Sequence, residues 1–147
     1  PSLFNNGMAV SVLSTAVSKC SMPFSDAFIK GILCNFLVCI AVWISFAAKE
    51  VVSKIVGLFF PIMMFVLCGF EHSIANMYYI SSGLFAKTNA TYVQAATDAG
   101  VDLTNLTWGN FFSKNLLPVT LGNIVGGAIC VGCAYWFIYL RKAKKAA

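Results

Sequence analysis

Hydrophobic and polar residues along this chain fall into long blocks rather than short alternations. Residues 1–22 are mildly apolar and rich in small side chains. They read as the end of an earlier element plus an external connection, with Lys19 near its close and Met22-Pro23 as punctuation. Ser25 or Asp26 can cap the helix that follows. Residues 23–48 form a first membrane span, in which Gly31 to Trp43 contains a single strongly polar side chain, Asn35. A short polar connection around Lys49 and Lys54 comes next. Ile55 to Leu67 is apolar but only about thirteen residues long, against the roughly twenty that a crossing needs. Cys68-Gly69 then leads into a second apolar half, Phe70 to Leu84.

The range 53–84 therefore reads as one broken transmembrane helix, interrupted near Phe65 to His72. Non-helical backbone at that depth is tolerated only where protein buries it or a cavity adjoins it. Residues 85–115 are polar and read as an external loop, closed by a short amphipathic piece with Trp108 as an interface anchor. Residues 116–142 form the last span. It carries Pro118, and Gly122 and Gly126 four residues apart, a spacing that lets another helix come close. Tyr135, Trp136 and Tyr139 make an aromatic belt before the tail, 143–147.

Composition agrees with a membrane protein: 59% of the 147 residues are hydrophobic and 10% are charged. The net charge of +5 is concentrated in Arg141, Lys142, Lys144 and Lys145. Because these follow an apolar helix directly, they fit a juxtamembrane anchor better than a nucleic-acid surface. The expected topology is multi-pass in the inner (plasma) membrane, with the C-terminus cytoplasmic and the bilayer as partner. Of the six cysteines, most lie in apolar segments, where Cys is a small hydrophobe. Cys130 and Cys133 have redox-motif spacing, but nothing near them lowers a thiol pKa. Asn89-Ala90-Thr91 and Asn105-Leu106-Thr107 match a glycosylation pattern too short to carry weight. The start at Pro1, with neither initiator Met nor signal pattern, reads as a piece of a longer protein.

The chemistry concentrates at the interruption. The run Gly69-Phe70-Glu71-His72-Ser73 places the chain's only histidine beside an acid at the end of an apolar segment. An ionisable group in such surroundings is costly unless it faces a cavity or a partner, and it marks a functional site by default. Gly69 permits the unusual backbone that a break needs. Ser73 can cap the second half-helix, whose N-terminus offers positive dipole to an anion. Asn76 follows His72 at one-turn spacing, to bond it or to line a path. The alternative is structural: a histidine that simply holds the break together.

Three segments resemble the signature of the formate/nitrite transporter family: Gly69 to Met77, Ile32 to Trp43, and Pro118 to Gly127. Their order and spacing agree from about Lys19 to Arg141, nearly the whole chain. The resemblance implies an all-α membrane protein with an aquaporin-like, inverted-repeat helical bundle. Six-helix protomers, each with its own pore, would assemble as a homopentamer. This chain would be the second repeat and would need the N-terminal half to complete the pore. The resemblance places His72 on the pore between apolar constrictions, to protonate or hydrogen-bond a small anion of a weak acid. It makes Phe65 one constriction. It places Lys19, Asn35 and Glu71 in a buried polar cluster, with Lys19 attracting anions and partnering the carboxylate.

The implied function is a channel or transporter for formate, nitrite or hydrosulfide. Formate channels of the family typically carry a proline shortly after the Asn-Met pair. Here Tyr78-Tyr79-Ile80-Ser81-Ser82-Gly83 stands instead, which brings in the hydrosulfide-conducting branch as an alternative. A neutral-solute pore of the aquaporin type would show an Asn-Pro-Ala signature, which the sequence lacks. A membrane enzyme using Glu71 and His72 would need a nucleophile or metal ligands beside them. No cofactor, metal or nucleic acid is expected.

Overall fold

The computed structural model describes residues 5–141. Lys142, Lys144, Lys145 and the remainder of the tail lie outside the described residues. Helices run in the order α1 (Asn6–Cys20), α2 (Phe24–Ala47), α3 (Val51–Leu67), α4 (Ser73–Ala86), α5 (Ala90–Asp98) and α6 (Trp108–Leu140). With 24 and 33 residues, α2 and α6 are long and apolar enough to cross a bilayer. With 17 and 14 residues, α3 and α4 are each shorter than a span. The chain divides into two compact units: Pro1–Ala27 with Ser73–Pro118, and Phe28–His72 with Val119–Ala147.

In the first unit, α1 is a packed helix of 15 residues. Asn5 caps it by accepting the Met8 backbone N–H at 2.8 Å. Ala9, Leu13, Ala16 and Cys20 recur at helical spacing and are fully buried. They share a core with Ile80, Leu84 and Ala86 of α4, Tyr92 and Ala96 of α5, and Leu106 and Phe111. Gly83 makes this packing possible, because a Cβ there would run into the Cβ of Ala16.

The segment after α4 is more ordered than its polar composition indicates. Asn89 caps α5 by accepting the Thr91 N–H at 2.9 Å, so its side chain has a local structural use. The Lys87 ammonium donates to the carbonyls of Leu103 and Leu106, each at 2.9 Å, and gathers the turn that leads to α6. Thr107 accepts the Asn110 N–H at 3.2 Å and starts α6 at Trp108. The amphipathic piece and the last span are thus one helix. It begins upstream of the apolar run because a threonine cap, not hydrophobicity, fixes its start. Within α6, Phe111–Leu116, Val125–Gly132 and Trp136–Leu140 have the wider i→i+5 pattern. The first of these precedes Pro118, which has no N–H to give the carbonyl four residues back.

In the second unit, α2 and α6 meet along a glycine seam. A Cβ on Gly122 would strike the Phe28 carbonyl oxygen, and one on Gly126 would strike that of Ile32. Backbones this close gain dispersion contacts that a bulkier pair would forfeit. Trp43 packs edge-on to Tyr135 and Tyr139, with centroids 5.5 and 6.0 Å apart. None of the residues of α3 is buried, and Phe59, Phe60, Val66 and Leu67 are each more than half exposed. Helix α2 begins at Phe24, so Ser25 and Asp26 stand inside its first turn, where the Ser25 hydroxyl donates to Asp26. An acid there suits the helix dipole.

Asp102 supplies a pH test of the loop before α6. Its carboxylate accepts the backbone N–H and the hydroxyl of Thr104, both at 2.9 Å. These bonds, with Lys87 nearby, hold its pKa below the ordinary carboxylate value. A lowered pKa means that the loop's stabilisation is present above the ordinary value and is lost as pH falls through the lowered one. Hydrogen exchange at the Thr104 amide, corrected for intrinsic rate, should show protection at neutral pH that is lost only in acid, as pH falls beneath the ordinary carboxylate value. Asp102→Ala should remove that protection at every pH. Protection that persists in acid would refute this account of the loop.

Candidate functional site

The interruption is built by local backbone rules. Helix α3 stops at Leu67 because Gly69 takes a left-handed φ of 63°, a region that costs other residues about 1 kcal/mol or more. The Phe70 N–H then bonds back to the Phe65 carbonyl at 3.0 Å, and the Gly69 N–H to that of Val66 at 3.1 Å. This pair of bonds is a Schellman closure, which satisfies two carbonyls that the helix end would otherwise leave open. Phe65 is therefore fixed twice, by its place in α3 and by its carbonyl in the closure.

Residues 70–72 beyond the turn belong to no helix or strand, and their polar groups are met from outside. The Glu71 N–H donates to the Lys30 carbonyl of α2 at 3.3 Å. The Glu71 carbonyl accepts Asn123 Nδ2 of α6 at 3.0 Å, and the same nitrogen donates to the Gly31 carbonyl at 2.8 Å. Asn35 Nδ2 returns a 2.7 Å bond to the Asn123 carbonyl. Gly127 keeps the room that this amide occupies, since a Cβ there would press on Asn35 Nδ2. Glu71 is 3% exposed and Asn123 6%, so these bonds lie where water does not compete.

His72 follows at once and is half-buried. Its ring lies 6.2 Å from that of Phe65, tilted by 38°. The turn thus folds the chain back enough to bring together two rings seven positions apart in sequence. Ser73 is the first residue of α4 and is buried. His72 immediately precedes that helix. The Asn76 amide donates to Asn115 Oδ1 at 2.8 Å, and Asn115 Nδ2 donates to the Lys19 carbonyl at 3.0 Å. The Lys19 ammonium stands 5.6 Å from the ring centre of Tyr79. Lys19, Ser73 and Asn76 belong to the first unit, and Asn35, Phe65, Gly69, Glu71 and His72 to the second.

Two residues carry more of this arrangement than the sequence reading gave them: Asn115 and Asn123. The signal for Asn123 was present, because it is the one strongly polar side chain between Leu116 and Leu140, as Asn35 is in its own span. Among the described residues, no three His, Cys, Asp or Glu side chains converge as a metal site would require. All six cysteines are free thiols.

A helix that halts at a glycine closure, with the non-helical segment after it pinned by a side-chain amide between bilayer-length apolar helices, is the build of a membrane channel or transporter. Residues 2–137 match the family model described as formate/nitrite transporter, and the chain belongs to that family. It is 42% identical over 140 residues to the formate channel FocA of Escherichia coli strain K12, covering 94% of this chain and 49% of that protein. It is 44% identical over 131 residues to the formate channel FocA of Haemophilus influenzae, covering 87% of this chain and 46% of that one. A solved structure of a pentameric formate channel with formate bound aligns with a TM-score of 0.81 at 38% identity, over 94% of this chain and 55% of that one. The chain spans about half the length of the curated relatives it matches. Over that part it has the fold of the pentameric formate channel, all-helical among the described residues, and these relatives are described as formate channels.

The pinning bonds predict distinct costs. Asn123→Leu removes the donor to the buried Glu71 carbonyl and should destabilise the full-length protein by about 2–3 kcal/mol. Gly69→Ala should cost about 1–2 kcal/mol, from backbone strain alone. Thermal unfolding in detergent reads both. Equal midpoints for Asn123→Leu and wild type would mean that the amide does not hold the segment.

Proposed function

We propose that this chain forms the second inverted repeat of a pore for small monovalent anions of weak acids, with formate the first candidate. The observation that carries the reading is the pairing of Phe65 and His72 across the glycine closure. An apolar ring beside an imidazole offers a hydrated anion nothing to replace its water, which makes passage as an ion costly. Imidazole titrates near neutrality, so His72 can give the anion a proton, or a hydrogen bond, at the point where dehydration is most expensive. A neutral acid then passes the constriction at Phe65 more cheaply than its anion.

Around this step, Glu71 and Asn35 hold the non-helical segment in place. Lys19 draws anions toward the pore, and Asn76 adds an amide to the path. The N-terminal half of the same protein supplies the rest of the wall, and five copies assemble. The relatives' description as formate channels, and the pentamer seen for one of them, support both points. The basic cluster that starts at Arg141 supports a cytoplasmic C-terminus. Hydrosulfide is the second reading of the substrate, favoured by the Tyr78-Tyr79 segment that replaces the expected proline.

Uptake into proteoliposomes by the full-length protein tests this, with formate, nitrite and hydrosulfide compared across pH. His72→Asn should lose the pH dependence and about a hundredfold of the flux, the low end of what one general acid–base step contributes. Flux and pH profile identical to wild type would reduce His72 to a structural residue. Preference for hydrosulfide over formate in the wild type would replace the first substrate with the second.

A further inference from the structure

We propose that the groove between α2 and α6 holds an acyl chain of an anionic phospholipid, with the lipid phosphate at the basic end of α6. The groove has a volume of about 290 Å³ and lies wholly within the second unit. Cys39, Trp43 and Phe46 of α2 line it, with Gly127, Gly132 and Tyr135 of α6, and no charged side chain does. Both walls belong to helices long enough to cross a bilayer. The site does not depend on which anion the protein passes.

The floor of the groove is open because position 132 is glycine. A Cβ on Gly122 or Gly126 would strike the backbone of α2, and one on Gly127 would press on Asn35. Those three glycines answer a need inside the chain. A Cβ on Gly132 would meet only the Gly127 carbonyl oxygen, at an ordinary 3.5 Å. Glycine weakens a helix relative to alanine, and among the described residues no contact requires it at 132. The room it leaves suits a flexible apolar chain from outside the protein.

Length and charge select a lipid. From Cys39 to Phe46 the groove follows α2 for about 10 Å, against about 15 Å for the hydrocarbon depth of one leaflet. One end is marked by Trp43 edge-on to Tyr135 and Tyr139, rings that favour the headgroup level. Cations begin just beyond it. Arg141 closes α6 with its guanidinium 5.0 Å from the ring centre of Phe137, and Lys142, Lys144 and Lys145 follow in the sequence. Lys49, with Glu50 next to it, follows the end of α2. An apolar slot that opens at a basic cluster matches both parts of an anionic lipid, the chain and the phosphate. A protein helix or a zwitterionic lipid would fill the slot without using the cations.

Native mass spectrometry tests this on the assembled full-length protein, titrated with dioleoyl phosphatidylglycerol or dioleoyl phosphatidylcholine. Phosphatidylglycerol should bind at least about fivefold more tightly, the worth of one basic side chain near an anionic headgroup. Arg141→Gln should weaken phosphatidylglycerol by about fivefold and leave phosphatidylcholine unchanged. Gly132→Leu, whose side chain fills the floor, should weaken phosphatidylglycerol by about tenfold, the worth of roughly two buried methylenes. Gly132→Ala should weaken it less. If Gly132→Leu does not assemble, Val42→Phe, which fills the groove from the α2 wall, is read in its place. Equal affinity for the two lipids, or phosphatidylglycerol binding untouched by the groove-filling variant, would overturn the proposal. So would the absence of bound phosphatidylglycerol, which would mean that the rest of the full-length protein covers the groove.

Discussion

Peptide groups beyond the reach of water must find partners, and this requirement shapes the whole region around Glu71. A helix that ends in an apolar segment exposes carbonyls at its C-terminus and leaves N–H groups open in the residues that follow. The chain meets the first demand locally, through the bonds that Gly69 and Phe70 make to Val66 and Phe65. It meets the second from a distance, where the Lys30 carbonyl on α2 accepts the Glu71 N–H, and the Asn123 amide on α6 donates to the Glu71 carbonyl beside it. Glycine at 122 and 126 matters for the same reason, because Asn123 reaches the Gly31 carbonyl only if the two helices nearly touch. Packing and hydrogen bonding are therefore not separate supports here. The small residues bring the polar ones within range.

Much of this was legible in the sequence, and for an identifiable reason. Apolar block length reports directly on bilayer crossing, so α2 and the short α3 could be read from composition. Glycine beside a change of polarity marked the break, because few residues tolerate φ near 63°. What composition could not show was helix made by caps rather than by hydrophobicity. Asn89 and Thr107 each start a helix inside a segment that looks like loop, with one side-chain oxygen apiece. The partners of Asn115 and Asn123 were hidden too, since an amide in a span announces that it is bonded but not to what.

The face of α3 raises a different point. Its apolar side chains form an open groove lined by Ile55, Phe59, Ile62 and Met63, which nothing among the described residues closes. In water such a surface would drive aggregation. In the setting of its family it meets lipid or other protein, so its exposure reflects the medium, not a defect of the sequence.

The wide turns of α6 have a consequence for how such a helix changes over generations. An i→i+5 turn holds one residue more than the α-helical turn it replaces. A helix with such turns at Val125–Gly132 and Trp136–Leu140 carries spare residues inside its own winding. Loss of a single codon there could tighten a wide turn into an ordinary one instead of rotating everything downstream by about 100°. The winding of α6 thus acts as a reserve of register, through which gene length can drift while the pinning asparagine stays in place.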